Sequence, residues 1–437
     1  MIGIHNNRIV DTKKMDKNDS KVELKKTLGL LEATALSVGA IIGGGIFVVI
    51  GITAGLAGSA LVISMIIASV IALFTALSFS ELAKWQPVEG SVYEYAHQLI
   101  SPFSGFLAGF MWIISNTFTG AAVSLGFAYY LTATFPGIQT NIVAAILCLV
   151  FTTINFIGAK KSVLLNTVLV IIKLIALVFF IIFGAFYVDT SNFAPFLAIN
   201  PNVLYGTIFI FFAYTGFARA AVVAEEVKNA KHNVPRAMLL SLGISTIVYV
   251  LVGIIAIGLV GAPQLADSNA PLIEAISKTN NQISIQIITV GGLLATASVL
   301  LTAILGVSRM TYSMARRKDL PHILSKLHPT FCTPYYAIWI TGLLMTGLVL
   351  FIDLTKVVAI STFASLFYYA IANMAAIKLK NGKKIKYKII SSLGFSSCFI
   401  MLFFILFISP ESWLFGSLSL IFGTCYYAIK KWYKRKT

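Results

Sequence analysis

Apolar residues gather into twelve runs along the chain, at about 34–57, 59–84, 102–131, 140–158, 162–187, 203–225, 236–262, 284–315, 334–353, 355–377, 387–408 and 412–429. Most are close to the roughly 20 residues an α-helix needs to cross the hydrocarbon core of a bilayer. A backbone in lipid must pair its own hydrogen bonds, and these runs are far too long for barrel strands, so twelve transmembrane helices are predicted. Two runs are interrupted near their middles. The first carries Gly39-Ala40-Ile41-Ile42-Gly43-Gly44-Gly45-Ile46-Phe47, and the sixth carries Phe212-Ala213-Tyr214-Thr215-Gly216-Phe217-Ala218-Arg219. Each glycine costs about 1 kcal/mol against Ala inside a helix, so three in a row at mid-span need a compensating use.

Composition agrees with the pattern. Of 437 residues, 58% are apolar and 11% charged, against about 45–50% and roughly 25% in soluble proteins, so the chain cannot cover its own surface against water. The net charge of +17 does not point to nucleic acid, because the basic residues fall in short clusters between apolar runs rather than on one polar face. With both termini inside, nearly all Lys and Arg lie on the cytoplasmic side. Lys278 and Lys356 fall on the other side, and Lys173 and Arg219 within spans. This bias predicts a cell-membrane protein with cytoplasmic termini. Residues 1–27 hold seven basic residues and no apolar core, which reads as a cytoplasmic tail and not a signal peptide. Cys148, Cys398 and Cys425 lie inside runs and Cys332 in a basic loop, so neither a disulfide framework nor a metal site is expected. His97, His232, His322 and His328 fall in connections or at span ends, where a solvated role is expected.

Breaks in the first and sixth spans divide the chain into two five-span halves followed by two further spans. Glycine-interrupted helices in corresponding positions of two halves point to an inverted-repeat transporter with substrate bound at the breaks. The boundaries expected are a tail over 1–27, a first repeat over 28–190, a second over 191–380, and an appendage over 381–437. Close helix packing is the competing use of glycine. It suffices for Gly51/Gly55 and Gly105/Gly109, but three consecutive positions exceed what one packing face needs. A phosphate loop is excluded, since no Gly-Lys-Ser/Thr follows and the segment lies in hydrocarbon.

These residues resemble a known family. The first-span segment Gly39 to Phe47 is similar to the signature of the amino acid, polyamine and organocation (APC) transporters, which share the LeuT-like fold. Further resemblance lies in Glu81-Leu82-Ala83, Pro87, Gly90-Ser91 and Trp112. It continues in Phe211 to Phe217, Ala224-Glu225-Glu226-Val227-Lys228-Asn229, Pro235-Arg236-Ala237, Ser308-Arg309 and Leu320-Pro321, and covers roughly 28–380 in all. The chain departs from the family at Ala218, where relatives often carry an acidic residue, and at Ala230, where a proline is usual.

The resemblance implies roles for particular residues. The amides of Gly43, Gly44 and Gly45 would receive a substrate carboxylate, and the carbonyls of Ile41, Phe212 and Thr215 its ammonium, with Gly216 in the same block. Phe212 matches an aromatic that closes the site in relatives, although packing alone would also explain it. Lys173 aligns with a fifth-span lysine that stands in for a sodium ion in proton-coupled relatives, with a carbonyl near Gly39 as its acceptor. Its position in the run argues the same way: it is the twelfth residue of 162–187, roughly 18 Å from the nearer end and too deep to snorkel. Proton coupling through Lys173 and a fixed structural cation both remain open. Arg219 needs an anion or a carbonyl cluster, the candidates being the substrate carboxylate, Glu81 or helix ends. Asn116, Thr117, Thr119, Ser298 and Thr302 are polar positions that could meet a side chain.

No carboxylate lies deep in the spans that line the predicted site, so a dication would find no partner and neutral amino acids are favoured. The expectation is an all-α membrane protein of twelve helices with a 5+5 inverted repeat and discontinuous helices 1 and 6. It would take up neutral amino acids with protons, without a cofactor. A proton-independent exchanger, a cationic amino acid or polyamine transporter and a non-transporting sensor are the alternatives, and an enzyme is opposed by the lack of a nucleophile–base or metal constellation.

Overall fold

The computed structural model describes residues 26–88, 90–135, 137–194, 201–379 and 385–436. The tail expected over 1–27 therefore lies outside the described residues except at its end, as does the boundary expected at 380. Among the described residues the secondary structure is helical, apart from one parallel bridge between Leu28 and Val227. The elements are α1 (Leu30–Ile41), a π turn (Gly45–Val49), α2 (Ile50–Ala57), α3 (Leu61–Trp85), α4 (Val92–Leu99), α5 (Pro102–Thr134), α6 (Thr140–Ile157), α7 (Ala159–Ala185) and α8 (Asn202–Tyr214). They continue as α9 (Arg219–Val222), α10 (Ala230–Asp267), α11 (Pro271–Ser277), α12 (Gln282–Arg316), α13 (Tyr335–Phe351), α14 (Leu354–Lys378), α15 (Ile385–Ile408) and α16 (Pro410–Lys436). Ten helical stretches are long and apolar enough to cross a membrane, and α13 is a shorter apolar helix.

Sequence periodicity decides which face of each helix turns inward. Along α7, Leu164, Ile171, Ile175 and Ile182 are exposed, whereas Asn166, Val170, Lys173, Leu177 and Phe180 are buried. The apolar stripe faces the place of lipid, and Lys173, deep in the span, faces protein. The interior is built on α5, with α12 and α14 against it. In α14, 89% of the most apolar stretch is buried, against 17% in α16, so α16 packs at the edge. One element was not foreseen. Val92–Leu99 is helical within what the sequence marked only as a connection, and its Tyr93 and Tyr95 are fully buried.

Candidate functional site

The first helix stops at Ile41, and Ile42 adopts an extended conformation (φ −77°, ψ 107°) before the π turn and α2 resume the span. Each glycine of the triplet meets a different neighbour. A Cβ on Gly43 would lie 2.9 Å from the Ala295 carbonyl, and one on Gly44 would lie 2.7 Å from Val123 Cγ1. One on Gly45 would overlap Ala213. Close approach from α12, α5 and α8 thus requires glycine on three sides at the point where the helical ladder is interrupted. The opening N–H groups of a helix have no carbonyl one turn back. Outside the helical ladders, Gly43, Gly44 and Gly45 donate to no acceptor among the described residues. Unpaired amides at the positive end of a helix suit a carboxylate.

The sixth span breaks beside the first. After Tyr214 the chain tightens into a 3₁₀ turn over Thr215–Ala218 and resumes as α9. Gly216 rests on the backbone of Ala40 and Ile41, and the Ala220 amide donates to Ser37 Oγ at 3.2 Å. Both interruptions therefore belong to one centre.

Three carbonyls assigned to the substrate ammonium sit there, and each already accepts a hydroxyl. Tyr249 donates to the Ile41 carbonyl at 2.6 Å and approaches that of Ala213 at 3.2 Å. Tyr369 donates to the Thr215 carbonyl at 2.5 Å, and Thr215 Oγ1 to that of Phe212 at 2.8 Å. A carbonyl has two lone pairs, so an ammonium can join or displace these donors. The tyrosines were missed in the sequence, although a buried phenol usually takes a hydrogen-bond partner. Replacing Tyr249 by Phe is expected to cost about 1–3 kcal/mol by stranding buried carbonyls, read as a lower Tm of the detergent-solubilised protein.

Lys173, fully buried, donates to the Gly39 carbonyl at 3.1 Å, to Ser298 Oγ at 3.0 Å and to the Ile42 carbonyl. Ser298 Oγ in turn donates to Asn166 Oδ1 at 2.8 Å, and Asn166 Nδ2 to the Ala35 carbonyl at 3.1 Å. The ammonium thus gathers the loose carbonyl end of α1, tying α7 and α12 to the first break. Ser298 Oγ is thus engaged by the lysine and by Asn166. Thr117, Thr119 and Thr302 bond carbonyls one turn back on their own helices.

Arg219 does not meet Glu81, which pairs with Lys84 at 2.8 Å. Its Nη2 donates to Asn116 Oδ1 at 2.6 Å, and its guanidinium carbon lies 5.1 Å from the centre of the Trp112 ring. A further buried cation, Arg309 of α12, was grouped by the sequence with the cytoplasmic connections; it pairs with Glu226 at 3.0 Å.

A cavity of about 650 Å³ opens at the end of the bundle where Pro87, Glu225, Val227, His232, Tyr312 and Arg316 meet. Ion pairs lie at this end of the bundle. Arg316 meets Glu225 at 3.3 Å, and Arg317 grips Glu94 through Nε at 2.6 Å and Nη2 at 2.5 Å. Hydrogen bonding to Glu94 holds the Arg317 guanidinium above its usual range, and partial burial, helped by Arg317, lowers His97. The latter departs from the solvated histidine expected. Glu94→Gln is expected to cost roughly 1–3 kcal/mol, between an exposed and a buried pair, measured by thermal unfolding.

The chain matches the amino acid permease family model over residues 28–423. It is 33% identical to an uncharacterized transporter of Mycobacterium tuberculosis (strain CDC 1551 / Oshkosh), over 89% of this chain and 88% of that protein. It is 32% identical to the branched-chain amino acid permease of Bacillus subtilis (strain 168), over 82% and 81%. It is 29% identical to the vacuolar cationic amino acid transporter 4 of Arabidopsis thaliana, over 81% and 63%. A family match of this extent settles the class that the broken helices suggested: the chain belongs to the amino acid permease family of the APC transporters and is a multi-pass membrane transporter of amino acids, not an enzyme.

Proposed function

We propose that this permease takes up amino acids together with protons, alternating between outward- and inward-open states around the paired breaks. The observation that carries the reading is the convergence at one centre of unpaired glycine amides, helix-end carbonyls and the buried Lys173 ammonium. A carboxylate would lie at Gly43 to Gly45 and an ammonium at the carbonyls of Ile41, Phe212 and Thr215. Lys173, held by uncharged oxygens alone, would release a proton when its hydrogen bonds open to one side. Among the described residues no carboxylate offers itself to a cationic side chain there, which favours neutral or anionic amino acids over polyamines.

Topology follows the same reading. Leu30–Trp85 is 56 residues long, enough for two crossings. Counting it so and α13 as a crossing turns ten stretches into twelve, with breaks in the first and sixth. The account then has two five-helix repeats over 28–190 and 191–380, followed by α15 and α16. Basic residues on the face of the Arg316 cavity favour a cytoplasmic placement for that cavity and both termini, in the cell membrane.

The test is radiolabelled uptake into proteoliposomes across neutral, acidic and cationic amino acids and putrescine, with and without an inward proton gradient. Accumulation that rises with the gradient is expected. Flux only into vesicles preloaded with amino acid would replace symport by exchange, and binding without flux would make the protein a sensor.

A further inference from the structure

Two arginines are buried in the helical bundle, and they differ in one respect. Arg309 is 1% exposed and has a carboxylate, Glu226, at 3.0 Å. Arg219 is 4% exposed and has none among the described residues; its Nε and Nη1 lack any hydrogen-bond partner. Among the described residues its only hydrogen bond is to Asn116 Oδ1, with the hydroxyls of Tyr368 and Tyr369 in the same surroundings, and Nη1 occupies the space that a side chain on Gly306 would take. Arginine cannot shed its proton, so a buried guanidinium with two idle donors is a receptor that lacks its anion.

Its position gives the length of that anion's carrier. Gly43 lies against Val299 and Gly44 against Val123, while Arg219 lies against Gly306 and Asn116. Along α12 and along α5 the separation is seven residues, roughly 10 Å at 1.5 Å per residue. Two helices thus give the same spacing between the glycine amides and the guanidinium. Carboxyl carbons four C–C bonds apart stand roughly 5 Å apart when extended, and a hydrogen bond of about 2.8 Å at each end spans the rest. On the far side Tyr312, six residues beyond Gly306, and Ala224, five beyond Arg219, line the 650 Å³ cavity.

We propose that Arg219, with Asn116 orienting it, receives a second carboxylate on the transported amino acid, so that the preferred substrate is an acidic amino acid of glutamate's length. The proposal rests on the transport reading of the breaks and narrows it, away from the neutral side chain expected from the sequence.

The experiment is competition of unlabelled glutamate, aspartate, glutamine and leucine against labelled amino acid uptake by the full-length protein in proteoliposomes. Two variants, Arg219→Gln and Asn116→Asp, are compared with wild type, each checked for folding by size-exclusion chromatography. Asn116→Asp places a carboxylate on the guanidinium and satisfies it internally, so it keeps the proposal testable if Arg219→Gln fails to fold. Glutamate is expected to compete at least about 30-fold better than glutamine in wild type, with the advantage lost in either variant. Equal competition by glutamine, or an undiminished advantage for glutamate in folded Asn116→Asp, overturns the proposal and leaves amino acid transport intact. If no amino acid is taken up, the transport reading fails instead. Glutarate, which has both carboxylates and no ammonium, then decides the anion receptor: thermal stabilisation of wild type but not of Asn116→Asp upholds it, and no stabilisation of wild type overturns it.

Discussion

Lys173→Met is expected to abolish proton-driven accumulation, lowering uptake by roughly 100-fold or more while leaving a folded protein. Methionine fills similar space in α7 but cannot donate. The Gly39 and Ile42 carbonyls and Ser298 Oγ then lose their common partner in a fully buried position. Hydrogen bonds to a charged donor contribute about 1.5–3 kcal/mol each. Losing two or three removes several kcal/mol from the conformation that holds the end of α1, and 2.7 kcal/mol is already about 100-fold. Initial rates with an inward proton gradient measure the effect. Undiminished accumulation would reduce Lys173 to a structural cation.

The second large effect is expected from Gly216→Val. Even the first carbon of the new side chain would overlap the backbone of Ala40 and Ile41, and backbone cannot rotate out of the way as a side chain can. Overpacking costs about 1–3 kcal/mol where side chains can adjust, and more is expected here. The substitution separates the two breaks, so uptake should fall to background and the Tm should drop. Gly243→Ala on α10 is the matched control: apart from its own turn of helix, nothing lies within 4 Å of its Cβ position. That variant should transport normally and gain about 0.4–1 kcal/mol from helix propensity. A Gly216→Val protein with wild-type uptake would mean that the contact of the breaks is incidental.

What could be read from the sequence depended on how local its physical cause was. The helical class follows from run length and the demands of a lipid-embedded backbone. Gly43 to Gly45 marked a break because the conflict with helix propensity is local. Lys173 stood out because depth in a span depends only on counting residues. Partners across the bundle were hidden. Tyr249 lies some two hundred residues from Ile41, and nothing in either segment announces their bond. Arg309 stood at the end of the run 284–315, but its partner Glu226 lies over eighty residues earlier and nothing in either segment announces the pair. The helix at Val92–Leu99 was missed because its half-polar composition resembles a connection, while burial of Tyr93 and Tyr95 against neighbouring elements fixes it.

The central claim is that amino acid and proton move together through the paired breaks by way of Lys173. Its most direct test is the pH inside proteoliposomes, followed with a trapped fluorescent indicator as a transported amino acid is added outside, with no initial pH difference. The account predicts acidification of the lumen on addition of substrate to wild-type vesicles, and none with Lys173→Met. Uptake of labelled amino acid with no change in internal pH would contradict it.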